Sequence, residues 1–152
     1  MQDPQQPYDV YREHAMPATQ PQPPKQHGSL PVELASILLV EENAELRESR
    51  RLVISSIEHP VLAVSSYHEV LTLPRDSNCC LVAIDLRPSE HEARRIAMHV
   101  RSTWPSAKIL LLGQPTREFE SPLYDDSLHV PWSPLKVVQA ARRLIEAAAG
   151  SY

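Results

Sequence analysis

The chain has 152 residues, 42% hydrophobic and 22% charged, which is room for one ordinary domain with a full core. Its 15 Lys and Arg against 19 Asp and Glu leave a net charge of −4, which argues against general affinity for nucleic acid or anionic lipid, since both are drawn to dense basic surfaces. The longest wholly apolar stretch, 79–84, is far short of the ~18 residues that cross a bilayer, and no apolar run near residue 1 resembles a secretory signal, so a cytoplasmic protein is expected.

Seven of the 15 prolines fall within the first 31 residues. Residues 1–34 also carry six glutamines and no period of 2 or 3.6, so ordering them would cost entropy that little burial could offset. A disordered Pro/Gln-rich N-terminal arm is expected over 1–34 and a single folded domain over 35–149. The PxxP spacing in Pro21-Gln22-Pro23-Pro24 is one that such tails meet by chance.

From residue 36 the texture changes. The runs 37–40, 61–64, 81–84 and 109–112 are four apolar residues each, a length and continuity that suit parallel strands buried on both faces. Between the first two, Leu46, Leu52, Val53 and Ile57 recur at near-helical spacing, with Glu45, Arg47, Glu48 and Arg51 on the other side and Asn43 as N-cap. A short helix is expected over 67–73. Ala93, Ile96, Ala97, Val100 and Trp104 repeat the helical pattern until Pro105 closes it. A weak helix over 117–124 and a fifth strand over 128–130 follow. Ser133-Pro134 then supplies a cap and an N1 proline, and Val137, Val138, Ala141, Leu144 and Ile145 line a last helix that ends before Gly150. The order βαβαβαβαβα predicts a three-layer α/β/α sandwich with right-handed crossovers. Cys79 and Cys80, the only cysteines, are neighbours in an extended segment and point to opposite faces, so both are expected as small buried side chains rather than a disulfide.

In an open parallel sheet, functional groups gather beyond the carboxyl ends of the strands. Glu41 and Glu42 follow the first run, Asp85 the third and Gly113 the fourth, while Val130-Pro131 ends the fifth strand. If strands one and three are neighbours, three carboxylates meet in one pocket and repel one another unless a hard divalent cation neutralises them. Glu41, Glu42 and Asp85 are then Mg²⁺ ligands, and an aspartate beside Mg²⁺ can attack an incoming phosphoryl group. The alternative is that these acids only cap the helices that begin there.

Other chemistry finds no support. The seven histidines show no i, i+4 pair and no HExxH, and His91 diverges on a helix from Glu90 and Glu92. Ser65, Ser66 and Ser89 lack a nucleophile elbow, and no GxGxxG or P-loop is present, so no enzyme is expected. Trp132 packs on the last helix or anchors a partner.

The stretch Ile37-Leu-Leu-Val-Glu-Glu-Asn43, then Leu81-Val-Ala-Ile-Asp-Leu-Arg-Pro88, then Trp104-Pro105 leading into 109–112, and finally Leu128-His-Val-Pro-Trp-Ser-Pro134, resembles the receiver domain of two-component response regulators over residues 36–147. The resemblance implies a flavodoxin-like (βα)5 fold with parallel strand order 2-1-3-4-5. It also implies an acidic pair, Glu41 and Glu42, that binds Mg²⁺, and a phosphoacceptor, Asp85, that takes its phosphoryl group from a histidine kinase or phosphotransfer protein. The family's Thr/Ser falls on Gly113. Its Lys, placed before a cis-Pro matched by Pro131, falls on Val130. Both functional groups are therefore missing.

Nearby cations do not obviously replace that lysine. Alternation sends His129 to the face opposite Val130, Lys108 stands at the wrong end of its strand, and Arg87 is within sequence reach of a phosphate on Asp85. Pro88 comes one residue early for the family, the stretch between Gly113 and Val130 is short, and the family's aromatic switch position holds Ser127. The losses cluster in the output half. The resemblance thus implies a stand-alone receiver-like phosphorelay domain, phosphorylated on Asp85 with Mg²⁺, that signals to a downstream protein effector by contact, with neither nucleic acid nor membrane as partner. Its alternative is a pseudo-receiver, never phosphorylated, that serves as a protein-interaction scaffold.

Overall fold

The computed structural model describes residues 34–87, 89–116, 119, 123–129 and 133–150. Residues 1–33 of the expected arm, Pro88, most of the expected helix over 117–124, and Val130, Pro131 and Trp132 lie outside the described residues. The chain divides into two units, Met1–Val32 and Glu33–Tyr152, and every element below belongs to the second.

In chain order these are β1 (Ser36–Val40), α1 (Ala44–Ser55), β2 (Val61–Val64), α2 (Tyr67–Leu71), β3 (Cys79–Asp85), α3 (Glu90–Thr103), β4 (Lys108–Leu112), β5 (Asp126–Leu128) and α4 (Pro134–Ala149). The five strands form one parallel sheet in the order β2-β1-β3-β4-β5, as the resemblance implies.

Alternation along the strands sends side chains to two separate apolar clusters, one on each face of the sheet. Leu38, Val40, Val82, Ile84, Ile109 and Leu111 pack under α3, which contributes Ala93, Ile96, Ala97 and Val100. Ile37, Leu39, Leu81, Ala83, Leu110 and Leu112 pack on the other face against Ile54 of α1 and Val137, Ala140, Ala141 and Leu144 of α4. Cys79 joins the first cluster and Cys80 the second, as neighbours in a strand must. Both thiols are free, and burial pushes that of Cys79 up to about 12.

Local chemistry sets the helix starts. The side chains of Asn43, Ser66, Ser89 and Ser133 each accept a hydrogen bond from a backbone N–H three residues on, and Pro134 opens α4. No helix among the described residues is long and apolar enough to cross a membrane.

Three expectations need correction. The helix expected over 67–73 ends at Leu71, where Thr72 caps it. The fifth strand runs two residues earlier than expected, because Asp126 pairs with Leu110 and Leu128 with Leu112. An edge strand buried only in part tolerates Asp126 and Ser127, so its polarity hides it from a search for apolar runs. On α1, Leu52 is 59% exposed, and the sheet-facing side instead carries Arg50 and Ile54.

Candidate functional site

The register sets the site. Val40 of β1 pairs with Ile84 of β3, so Glu41 and Asp85 emerge side by side at the carboxyl end of the sheet. Both are buried, at 2% and 6% exposure, whereas Glu42 is exposed. An open cleft of about 390 Å³ is lined by Glu41, Glu42, Asn43, Leu46, Asp85 and Arg87. An adjoining hollow of about 300 Å³ brings Arg87 together with Leu86, Glu90, Gly113, Gln114 and His129.

Between the two buried carboxylates lies a residue that the sequence analysis did not single out. Arg50, 5% exposed, projects from the inner side of α1. Its Nη1 donates to Glu41 Oε2 and, at 2.9 Å, to Asp85 Oδ2, so one guanidinium nitrogen joins both acids. Glu41 Oε1 accepts from the backbone N–H of Asn43 at 3.1 Å, which ties the acid to the cap of α1. Burial pushes the Arg50 guanidinium down to about 10, against the raising effect of Asp85, and it remains protonated at neutral pH.

Asp85 has a second cationic partner. Arg87 Nη2 donates to Oδ2 at 2.8 Å, and its Nε donates to Oδ1 at 3.1 Å and to Oδ2 at 3.2 Å. The Arg87 backbone N–H also donates to Oδ1 at 2.9 Å. Asp85 holds the Arg87 guanidinium above its ordinary value. Arg87 Nη2 also stands 3.8 Å from Glu41 Oε2. Two buried carboxylates are thus balanced by two guanidinium groups, one internal and one 45% exposed.

These residues do not fit a divalent cation. The point on which Glu41 Oε2 and Asp85 Oδ2 converge is taken by Arg50 Nη1, and the third acid, Glu42, is exposed at the rim of the cleft. Among the described residues no group of three or more His, Cys, Asp and Glu side chains is placed to hold a metal ion. The Mg²⁺ set Glu41, Glu42 and Asp85 expected from sequence is therefore split by a cation that belongs to the chain.

Gly113 sits where the site needs a particular backbone. Its φ is +136°, a region that L side chains rarely adopt, and a Cβ there would stand 3.2 Å from Leu86 Cβ. Its N–H donates to Leu128 O at 2.8 Å, fastening the turn after β4 to the end of β5. His129 is the other correction. Strand alternation no longer governs it, because β5 ends at Leu128, and it lines the hollow beside Gly113. Lys108 stands at the opposite end of β4, 4.0 Å from Asp125, as expected.

No protein-family model matches the chain, and no curated protein does. Solved structures do. The chain is similar to a CheY-like response regulator receiver domain protein from Methanospirillum hungatei JF-1, with a TM-score of 0.70 and 15% identity over 78% of this chain and 99% of that one. A signal receiver domain of an HD domain-containing protein from Pseudomonas fluorescens Pf-5 gives 0.68 and 17%, over the same shares. A response regulator receiver protein from Sinorhizobium medicae WSM419 gives 0.65 and 23%, over 76% of this chain and 98% of that one. The strand order, the crossovers and these likenesses agree: the chain has the fold of a response regulator receiver domain.

Proposed function

We propose that the chain is a receiver-like signalling module that works through protein contacts without taking a phosphoryl group. One observation carries this reading: both oxygens of Asp85 are engaged by arginines. An ionised carboxylate offers about four lone-pair sites. Oδ1 accepts from the backbone N–H and Nε of Arg87, and Oδ2 accepts from Arg50 Nη1 and Arg87 Nη2. Attack on phosphorus needs a free lone pair, and two adjacent cations make the oxygens poorer nucleophiles.

Two losses in the sequence point the same way. A hydroxyl and an ammonium that would hold a transferred phosphoryl group have Gly113 and Val130 in their places. The cleft in its resting state is already charge-balanced and hydrogen-bonded. A partner then reads a surface held in one arrangement, and the signal is set by whether that partner is present.

A second reading keeps Asp85 as the phosphoacceptor, served by a histidine kinase or phosphotransfer protein. The exposure of Arg87 favours it, since that side chain has open solvent to swing into and would release a lone pair on each Asp85 oxygen. Mass spectrometry after incubation with Mg²⁺ and a small phosphodonor decides between the two. The expected result is no phosphoryl adduct on the folded chain. An adduct that Asp85→Asn abolishes overturns the proposal in favour of the second reading.

A further inference from the structure

We infer that Arg50 is a resident cation that takes the place of a dissolved one, so that the Glu41 and Asp85 cleft excludes divalent metal ions for as long as Arg50 is there. The inference deepens the proposed function and rests on its reading of the cleft as a closed, charge-balanced site. It concerns the metal rather than the phosphoryl group, and it fails separately.

The geometry carries it. Two carboxylate oxygens from neighbouring strands, Glu41 Oε2 and Asp85 Oδ2, converge on a single nitrogen. A hard cation binds such oxygens at about 2.0–2.1 Å for Mg²⁺ or somewhat longer for Ca²⁺, at a similar point of convergence. Arg50 reaches that point from Ala44–Ser55, a helix anchored on the same site by the Asn43 N–H to Glu41 Oε1. Its approach is internal, since the side chain is 6% exposed and Ile54 one turn on is buried in the core. A metal ion entering from solvent would have to expel a buried guanidinium that is hydrogen-bonded to both Glu41 and Asp85. Charge repulsion from Arg87, which is 3.8 Å from Glu41 Oε2 and 2.8 Å from Asp85 Oδ2, opposes entry from the open side.

Removing the charge reverses the argument. In Arg50→Met the two buried carboxylates lose their shared donor, and their repulsion makes a divalent cation a stabilising ligand, with Glu42 at the rim as a third oxygen source. The test uses Mn²⁺ alone as the probe, followed by paramagnetic broadening of backbone amide signals and by thermal unfolding in EDTA and in Mn²⁺.

For the unaltered chain, the expected result is no selective broadening at Glu41, Glu42, Asp85 and Arg87 at millimolar Mn²⁺, and one unfolding temperature in both buffers. For Arg50→Met, the expected result is saturable broadening at those residues and a higher unfolding temperature in Mn²⁺ than in EDTA. If Arg50→Met does not fold in EDTA, folding on addition of Mn²⁺ is the supporting outcome. If it folds in neither buffer, Arg50→Gln is measured in its stead with the same expectations. Saturable Mn²⁺ binding at Glu41 and Asp85 in the unaltered chain overturns the inference, as does a folded Arg50→Met or Arg50→Gln that binds no Mn²⁺. An unaltered chain that binds Mn²⁺ but takes no phosphoryl group overturns the inference alone, while an Asp85-dependent adduct overturns the proposed function.

Discussion

Gly113 combines two roles that are hard to separate from sequence. It stands where the receiver resemblance implies a phosphate-binding hydroxyl, and it is also a backbone requirement, with φ at +136° and Leu86 Cβ only 3.2 Å from where a Cβ would stand. Restoring the family's hydroxyl at this position therefore adds strain. Gly113→Thr is expected to lose about 1–3 kcal/mol, and Gly113→Ala most of the same, because the conflict begins at Cβ. Urea denaturation of both variants checks this, and a Gly113→Thr chain as stable as its parent would contradict it. The glycine is legible in the sequence, but φ is not written in a pattern of side chains. Arg50 was missed for a related reason: a helical-period search weighs apolar residues, and a charged side chain within the inward stripe reads as solvent-facing.

At the scale of elements, the carboxyl end of the sheet is built by register, and its opposite end by one carboxylate. Asp125 Oδ2 accepts from the Ile109 N–H at 2.8 Å and from Arg101 Nη2 at 2.9 Å, and the Asp125 N–H donates to Ile109 O at 2.9 Å. This clasp joins the entry of β5 to β4 and to the last turn of α3. Asp125→Ala leaves the fully buried Ile109 with a backbone N–H that has lost its acceptor, at an expected cost of about 1–3 kcal/mol. Asp125→Asn, which keeps an acceptor oxygen, is expected to lose less. Chemical denaturation of the pair gives the comparison, and equal losses would mean that the carboxylate's charge rather than its hydrogen bonds holds the edge.

The clasp also explains why β5 was misplaced in the sequence analysis. Its start is set by Asp125 and Asp126, two acids in a segment where only Leu128 is apolar, so the apolar pattern points to later residues. By contrast β1, β3 and β4 are legible because their central apolar residues are buried on both faces, and the edge strand β2 because all four of its residues are apolar although Leu62 is exposed. The strand order came from the family resemblance rather than from periodicity, which says nothing about neighbours.

Over the whole molecule, residues 34–150 supply a complete five-stranded sheet and an apolar cluster on each of its faces. The domain over 35–149 is proposed to be thermodynamically self-sufficient. Deleting residues 1–34 is expected to leave the unfolding free energy within about 0.5 kcal/mol of the full chain, with the same urea dependence, since every described member of the two clusters lies after residue 34. A lower midpoint on truncation would show that the first segment contributes to the folded state.

The covalent attachment of Arg50 has one last consequence, which concerns mass action. A site filled by a dissolved ion is occupied according to that ion's concentration, and it stabilises the fold by an amount that rises and falls with supply. A cation carried on α1 has no concentration to follow: its local abundance is set by the length of its own side chain and by the helix that bears it. Dilution, chelators and swings in free Mg²⁺ leave its occupancy unchanged. The Arg50 share of the charge balance at the carboxyl end of this sheet is thus inherited with the polypeptide.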